Sequence, residues 1–261
     1  MEQGNQNSIN LNKFISQTGI CSRREAEKFI IEKRVTLNGK IAQLGNRVFE
    51  GDEVKIDGKP LQTKPKTLYI AFNKPQGIVC TTDSKEKKNI IHYINHSERL
   101  FPIGRLDKPS QGLIFLTNDG DIVNKILRAG NNHEKEYIVS VNKSLTPEFI
   151  YKISNGIPIL STVTKKCKVK QLNDFTFKII LTQGLNRQIR RMCEYLDYEV
   201  TQLKRTRIMN IQLHGLETGQ WRELTHNEIK KINQLIVGSS KTEEVSKDKN
   251  QFKKRDYKKE R

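Results

Sequence analysis

One carboxylate sits among cations in the stretch Gly104-Arg105-Leu106-Asp107-Lys108-Pro109-Ser110-Gln111-Gly112, which runs straight into the apolar Leu113-Ile114-Phe115-Leu116. A loop entering a buried strand is a common mount for reactive side chains. Arg105 and Lys108 flank Asp107 and would hold it ionised, as a nucleophile requires. The plainer alternative is an aspartate that caps a turn or pairs with a nearby arginine. A second cluster, Arg187-Gln188-Ile189-Arg190-Arg191, crowds three arginines into the opening turns of an expected helix. Cations there oppose the helix dipole, which favours an anionic partner. Arg187 and Arg190 share a face at i, i+3, and the alternative for Arg190 is a weak surface pair with Glu194. Lys204, Arg205 and Arg207, at the end of an expected strand, would offer a track for polyphosphate. Lys74, in the turn Asn73-Lys74-Pro75-Gln76-Gly77, would meet phosphate or solvent. Tyr137 would either set its ring over a base or pack within a strand.

These residues need a scaffold, and the hydrophobic pattern supplies one. Leu68–Phe72, Gly77–Thr81, Glu136–Val141 and Phe175–Leu181 read as strands. Asp121–Arg128 has helical spacing before Ala129-Gly130, a helix end by composition. Ile189, Met192, Cys193 and Leu196 make the buried stripe of the arginine-bearing helix. Thr225 and Glu228 have capping-box spacing and open a last helix through Val237.

The 261 residues carry 47 Lys and Arg against 29 Asp and Glu, a net charge of +18. A field of that size attracts polyanions, so nucleic acid is the first partner to consider. Residues 63–238 hold 28 of the basic and 16 of the acidic side chains, so the excess is not confined to a tail. The N-terminal run lacks a basic n-region and an apolar h-region, and no stretch is long and apolar enough to span a bilayer. Cys21, Cys80, Cys167 and Cys193 are scattered without a C-x-x-C pair. That argues against a zinc site or disulfide framework and fits a reducing cytoplasm.

Polar Thr63-Lys64-Pro65-Lys66-Thr67 reads as a linker between residues 1–62 and 68–238, and the charged stretch 239–261 reads as a disordered basic tail. In the small N-terminal part, Ser22 and Glu25 have capping-box spacing, so a helix from Ser22 to Glu32 is expected after a shorter one around Leu11, Phe14 and Ile15. Asn38-Gly39 between β-formers predicts a hairpin turn, and Asp52–Gly58 a further short strand and turn. Arg23 and Arg24 at a helix start, with Lys28 one turn on and Asn38 and Lys40 at the turn, would suit RNA phosphate. A solvated charged face is the alternative.

Residues 10–60 resemble an S4 domain, a small RNA-binding module, through Leu11-Asn12-Lys13-Phe14, Gly19–Ala26, Arg34–Lys40 and Gly51-Asp52-Glu53-Val54. Residues 68–237 resemble the catalytic domain of the pseudouridine synthases, in the branch that acts on ribosomal RNA. Four blocks carry this in the family's order: Gly104–Asp107, Gly112–Gly120, Lys135-Glu136-Tyr137 and Arg187–Met192. The stretch Asn124–Tyr137 is most similar to a large-subunit member. The resemblance implies an α+β protein: an S4 domain followed by a mostly antiparallel mixed sheet flanked by helices. It implies isomerisation of a uridine in structured RNA, with no cofactor and no metal, by a cytoplasmic monomer whose partner is ribosomal RNA, with transfer RNA as a further possibility. Asp107 would be the nucleophile, Arg190 would pair with it, Tyr137 would pack on the uracil, and Arg105 would be the wedge that replaces the extruded nucleotide. A non-catalytic RNA-binding or ribosome-assembly protein, or a synthase of small-subunit or transfer RNA, is the alternative; Asp107 argues for the enzyme, because binding alone has no use for a carboxylate amid phosphate-seeking cations.

Overall fold

The computed structural model describes residues 8–61 and 65–239. Part of the expected linker and the tail from residue 240 lie outside the described residues. The chain divides into two units, one running to Thr67 with Ser97–Arg99, the other taking Leu68–His96 and the chain from Leu100 on.

The first unit contains β1 (Ile9–Asn10), α1 (Leu11–Gln17), α2 (Arg23–Ile31), β2 (Val35–Leu37), β3 (Lys40–Ile41), β4 (Arg47–Val48), β5 (Val54–Ile56) and β6 (Lys59–Pro60). The expected capping box is complete: Ser22 Oγ accepts the Glu25 N–H, and the Glu25 carboxylate takes the Ser22 N–H at 2.6 Å. The side-chain bond to Ser22 keeps the Glu25 carboxyl below its usual range. Its charge partly offsets Arg23 and Arg24 in the same turn. Asn38 and Gly39 have φ of 50° and 76°, so the hairpin closes through two left-handed residues. The strands pair in the order β3-β2-β5-β6 over a core of Leu11, Ile15, Ala26, Ile30, Val35 and Val54.

The second unit comprises β7 (Tyr69–Lys74), α3 (Ile90–Ile94), β8 (Phe101–Ile103), β9 (Gln111–Thr117), α4 (Gly120–Leu127), β10 (Lys135–Val141), α5 (Pro147–Asn155), β11 (Pro158–Ile159), β12 (Thr162–Val163), β13 (Lys168–Asn173), β14 (Thr176–Leu181), α6 (Gln188–Tyr195), β15 (Val200–Ile208), β16 (Ile211–Gln212), β17 (Trp221–Glu223) and α7 (His226–Ile236). Nine of the strands form one sheet in the order β13-β14-β10-β15-β9-β7-β17, with β8 added to β9 and β16 to β15. Its pairs are antiparallel except β15 with β9, so the sheet is mixed as expected.

Helices cover both faces, which explains why β9 is a continuous apolar run rather than an alternating one. Ile114 and Leu116 pack with Ile90 of α3, Phe149 of α5 and Met192 of α6, whereas Leu113 and Phe115 pack with Ile126 of α4 and Ile232 of α7. The expected strand at Gly77–Thr81 does not form. Its N–H groups go to separate places: Gly77 to Lys108 O, Val79 to Lys88 O and Thr81 to Val79 O, leaving a single bridge between Val79 and Asn89. The helix expected over Asp121–Arg128 spans Gly120–Leu127 with Arg128 as its C-cap, and a 3₁₀ turn over Ala129–Asn131 follows. Ser239, expected in the tail, closes α7 by donating its N–H to Ile236 O, and its hydroxyl lies 2.9 Å from His133 Nε2. The four thiols are free, and among the described residues no helix is long and apolar enough to cross a membrane.

Candidate active site

A cavity of about 410 Å³ opens in the second unit where the β8–β9 loop, the β10 and β15 strands and the start of α6 converge. Asp107 is the single carboxylate in its lining, facing Arg105, Lys135, Arg187, Arg190 and Arg205. Leu181, Leu185, Ile189, Leu203 and Tyr137 give it an apolar wall.

The loop that carries Asp107 is clamped from several sides. Ser110 N–H closes a turn on Asp107 O at 2.9 Å, Gly77 N–H donates to Lys108 O at 2.8 Å, and Leu106 N–H reaches Cys80 Sγ at 3.4 Å. Lys74 supplies a further clamp. Its side chain is 0 % exposed and its ammonium donates to Pro75 O and Ser110 O, each at 2.8 Å. Lys74 is therefore not available to an RNA phosphate, contrary to expectation. Burial pushes its pKa down, while Cys80 and Asp107 act in the other direction. The Asp107 side chain itself has no hydrogen bond or ion pair among the described residues, which leaves its carboxylate half-buried and open to a substrate.

Arg190 comes to the same loop from α6. Its guanidinium donates to Val200 O at 3.0 Å and reaches Pro109 O at 3.5 Å and Ser110 Oγ at 3.4 Å. The expected close ion pair with Asp107 is absent; the two interact through space, and burial pushes the Arg190 pKa down. The pair with Glu194 is made by Arg187, at 3.8 Å, not by Arg190. Arg187 adopts a left-handed φ of 49° at the N-cap of α6, which takes it out of the helical register assumed for an i, i+3 pair.

Tyr137 is buried on β10 directly across from Arg205 of β15. A bulge next to this pair breaks the alternation, so that Arg207 lies across from Glu136 instead. Tyr137 and Glu136 point to opposite faces, and so do Arg205 and Arg207. The expected phosphate track is thus divided, within the strand rather than at its end. Arg205 enters the cavity, Arg207 is held at 2.9 Å by Glu134, and Lys204 lies half-exposed on β15. Arg105 is exposed at the mouth of the cavity.

Lys135 was not singled out from the sequence as a site residue. The signal was present: Lys135, Tyr137, Val139 and Val141 form the buried phase of β10, where a lysine is out of place. Burial, reinforced by Arg205, pushes its pKa down to about 8. In the first unit, Arg23, Arg24, Lys28 and Lys40 are exposed. The Asn38 side chain is occupied in the hairpin, donating to Asp52 at 2.8 Å and accepting from Glu53 N–H at 2.9 Å.

Comparison with known proteins adds independent findings. Residues 68–195 match the RNA pseudouridylate synthase family, and residues 9–54 match the S4 domain. The chain is 59 % identical over 235 residues to dual-specificity RNA pseudouridine synthase RluF of Salmonella typhi, covering 89 % of this chain and 81 % of that protein. It is 34 % identical to ribosomal large subunit pseudouridine synthase B of Bacillus subtilis, covering 86 % of this chain and 96 % of that protein. A crystal structure of a pseudouridylate synthase superimposes with a TM-score of 0.62 at 30 % identity, over 86 % of this chain and 99 % of that one.

Proposed function

Because this chain belongs to the S4-containing RNA pseudouridine synthases, we propose that it isomerises a uridine of large-subunit ribosomal RNA and that Asp107 starts the reaction. In the isomerisation the N1–C1′ bond breaks, the uracil turns, and C5 bonds to C1′. The observation that carries the role of Asp107 is its position as the one carboxylate of a cavity lined by five cations. Either it bonds to C1′ as N1 leaves, or it takes a C2′ proton on a glycal-like route; both require a free carboxylate held in a rigid loop. Lys74 and Arg190 hold that loop through Ser110. Tyr137 packs on the uracil and assists the departure of the proton from C5.

A uridine within a stem is reachable only after extrusion from its stack. Arg105, exposed at the mouth, is the wedge, while Arg187 and Lys204 meet neighbouring phosphates. In the first unit, Arg23, Arg24, Lys28 and Lys40 grip structured RNA. The protein acts as a monomer in the cytoplasm and requires no cofactor. The name of the 59 % identical relative supports a second RNA substrate, for which transfer RNA is the candidate.

The test is pseudouridine mapping of total RNA from cells with this gene, without it, and with Asp107→Asn. The expected result is one or a few large-subunit positions that lose pseudouridine in the deletion and stay unmodified with Asp107→Asn, whose purified form still binds RNA. Turnover by Asp107→Asn at the wild-type rate would remove Asp107 from the mechanism.

A further inference from the structure

The cavity holds a cation that none of these steps employs. Arg205 is 4 % exposed; its Nε donates to Leu113 O at 2.6 Å, but its Nη2 is buried with no hydrogen-bond partner. Among the described residues no carboxylate pairs with it, and buried Lys135, whose ammonium donates to His133 O at 3.1 Å, adds a repelling charge. A buried guanidinium with neither counter-ion nor full hydrogen bonding is costly. Such an arrangement is explicable where a ligand supplies the missing negative charge. The geometry indicates which part of the ligand. The guanidinium carbon stands 6.0 Å from the centroid of the Tyr137 ring, its cross-strand partner, so a base packed beside that ring lies within reach of the guanidinium.

We propose that Arg205 is a catalytic residue whose guanidinium donates to a uracil carbonyl oxygen and stabilises the base as it departs. This rests on the reading of the cavity as the uridine site. When N1–C1′ breaks heterolytically, the electron pair stays with the base and spreads over N1, O2, C5 and O4. A donor fixed at a carbonyl binds that anion more tightly than the neutral uridine, which lowers the barrier to cleavage. The same delocalisation places electron density on C5, the atom that next bonds to C1′; C5 then loses its proton and N1 gains one, so the sum is an isomerisation. Lys135, which also lines the cavity, adds positive charge beside Arg205.

The experiment uses the full chain with Arg205→Gln and Arg205→Lys on transcribed large-subunit RNA containing either uridine or 5-fluorouridine, reading the single-turnover loss of the N1–C1′ bond. Fluorine stabilises the departing anion by itself, so it should substitute for part of what Arg205 does. With uridine, Arg205→Gln should lower the rate ~10²–10³-fold with little change in KM. With 5-fluorouridine the deficit should shrink at least ~10-fold, since the anion needs less help. Arg205→Lys, which keeps the charge and most of the packing, should fall between and retain the same substrate dependence even if Arg205→Gln folds poorly. An equal deficit on both RNAs, or a change in KM alone, would overturn the proposal and leave Arg205 a structural residue. Asp107→Asn separates the two readings: activity in that variant would refute the cavity as the uridine site, whereas a dead Asp107→Asn with a substrate-independent Arg205 defect would refute only the role of Arg205.

Discussion

Gly112→Ala tests whether the junction under the cavity is as tight as its geometry states. Gly112 lies at φ +110°, and a Cβ there would stand 2.3 Å from Arg205 O and 2.6 Å from Arg205 N. Both are backbone atoms of the β9–β15 parallel pair, so no flexible side chain can swing away. An L-residue at that φ costs about 1–3 kcal/mol, and forcing the strands apart costs about 1–3 kcal/mol more. The second unit should therefore lose about 2–6 kcal/mol out of a typical total of 5–15. Trp221, the only tryptophan of the chain, pairs across from Phe72 in the second unit, so its fluorescence during urea unfolding reports on that unit alone. Turnover should fall as well, because the strand that yields is the one carrying Arg205. A loss below about 1 kcal/mol with unchanged turnover would refute the close approach.

Two further outcomes follow from the charges. Lys135 has a pKa of about 8 in the folded chain, lowered chiefly by burial, against about 10.4 when unfolded. Below pH 8 it is protonated in both states, whereas between pH 8 and 10.4 the unfolded chain binds more protons. Wild type should therefore gain stability relative to Lys135→Met over that window, with a limiting slope of about 1.4 kcal/mol per pH unit; a flat difference between paired urea titrations at pH 7.5 and 9.5 would exclude the buried ammonium. In the first unit, exposed Arg23 and Arg24 should each account for about one unit of the slope of log affinity for RNA against log salt. Filter binding of the Arg23→Ala, Arg24→Ala double variant at several salt concentrations measures this, and an unchanged slope would assign that helix face to solvent.

Much of the local structure follows from short-range rules. Ser22 with Glu25 and Thr225 with Glu228 close their capping boxes at the expected residues, because such caps involve groups three residues apart. Asn38-Gly39 makes its hairpin for the same reason, since left-handed φ is a property of the residues themselves. Gly77–Thr81 has the composition of a strand yet lacks a continuous neighbour, and pairing partners are supplied by the rest of the sheet.

Within the cavity, the sequence by itself determined that Asp107, Tyr137, Arg190 and the cationic run at 204–207 were the groups with chemistry to offer. Tertiary structure decided what each faces. Lys74 passed from a surface cation to a buried clamp because β7 and the β8–β9 loop enclose it. A single bulge sent Arg205 into the cavity and Arg207 to Glu134. Sequence spacing specifies direction only while an element stays regular; the bulge, the left-handed Arg187 and the glycine that lets β9 touch β15 are irregularities set by distant neighbours. They determine which cations face the cavity.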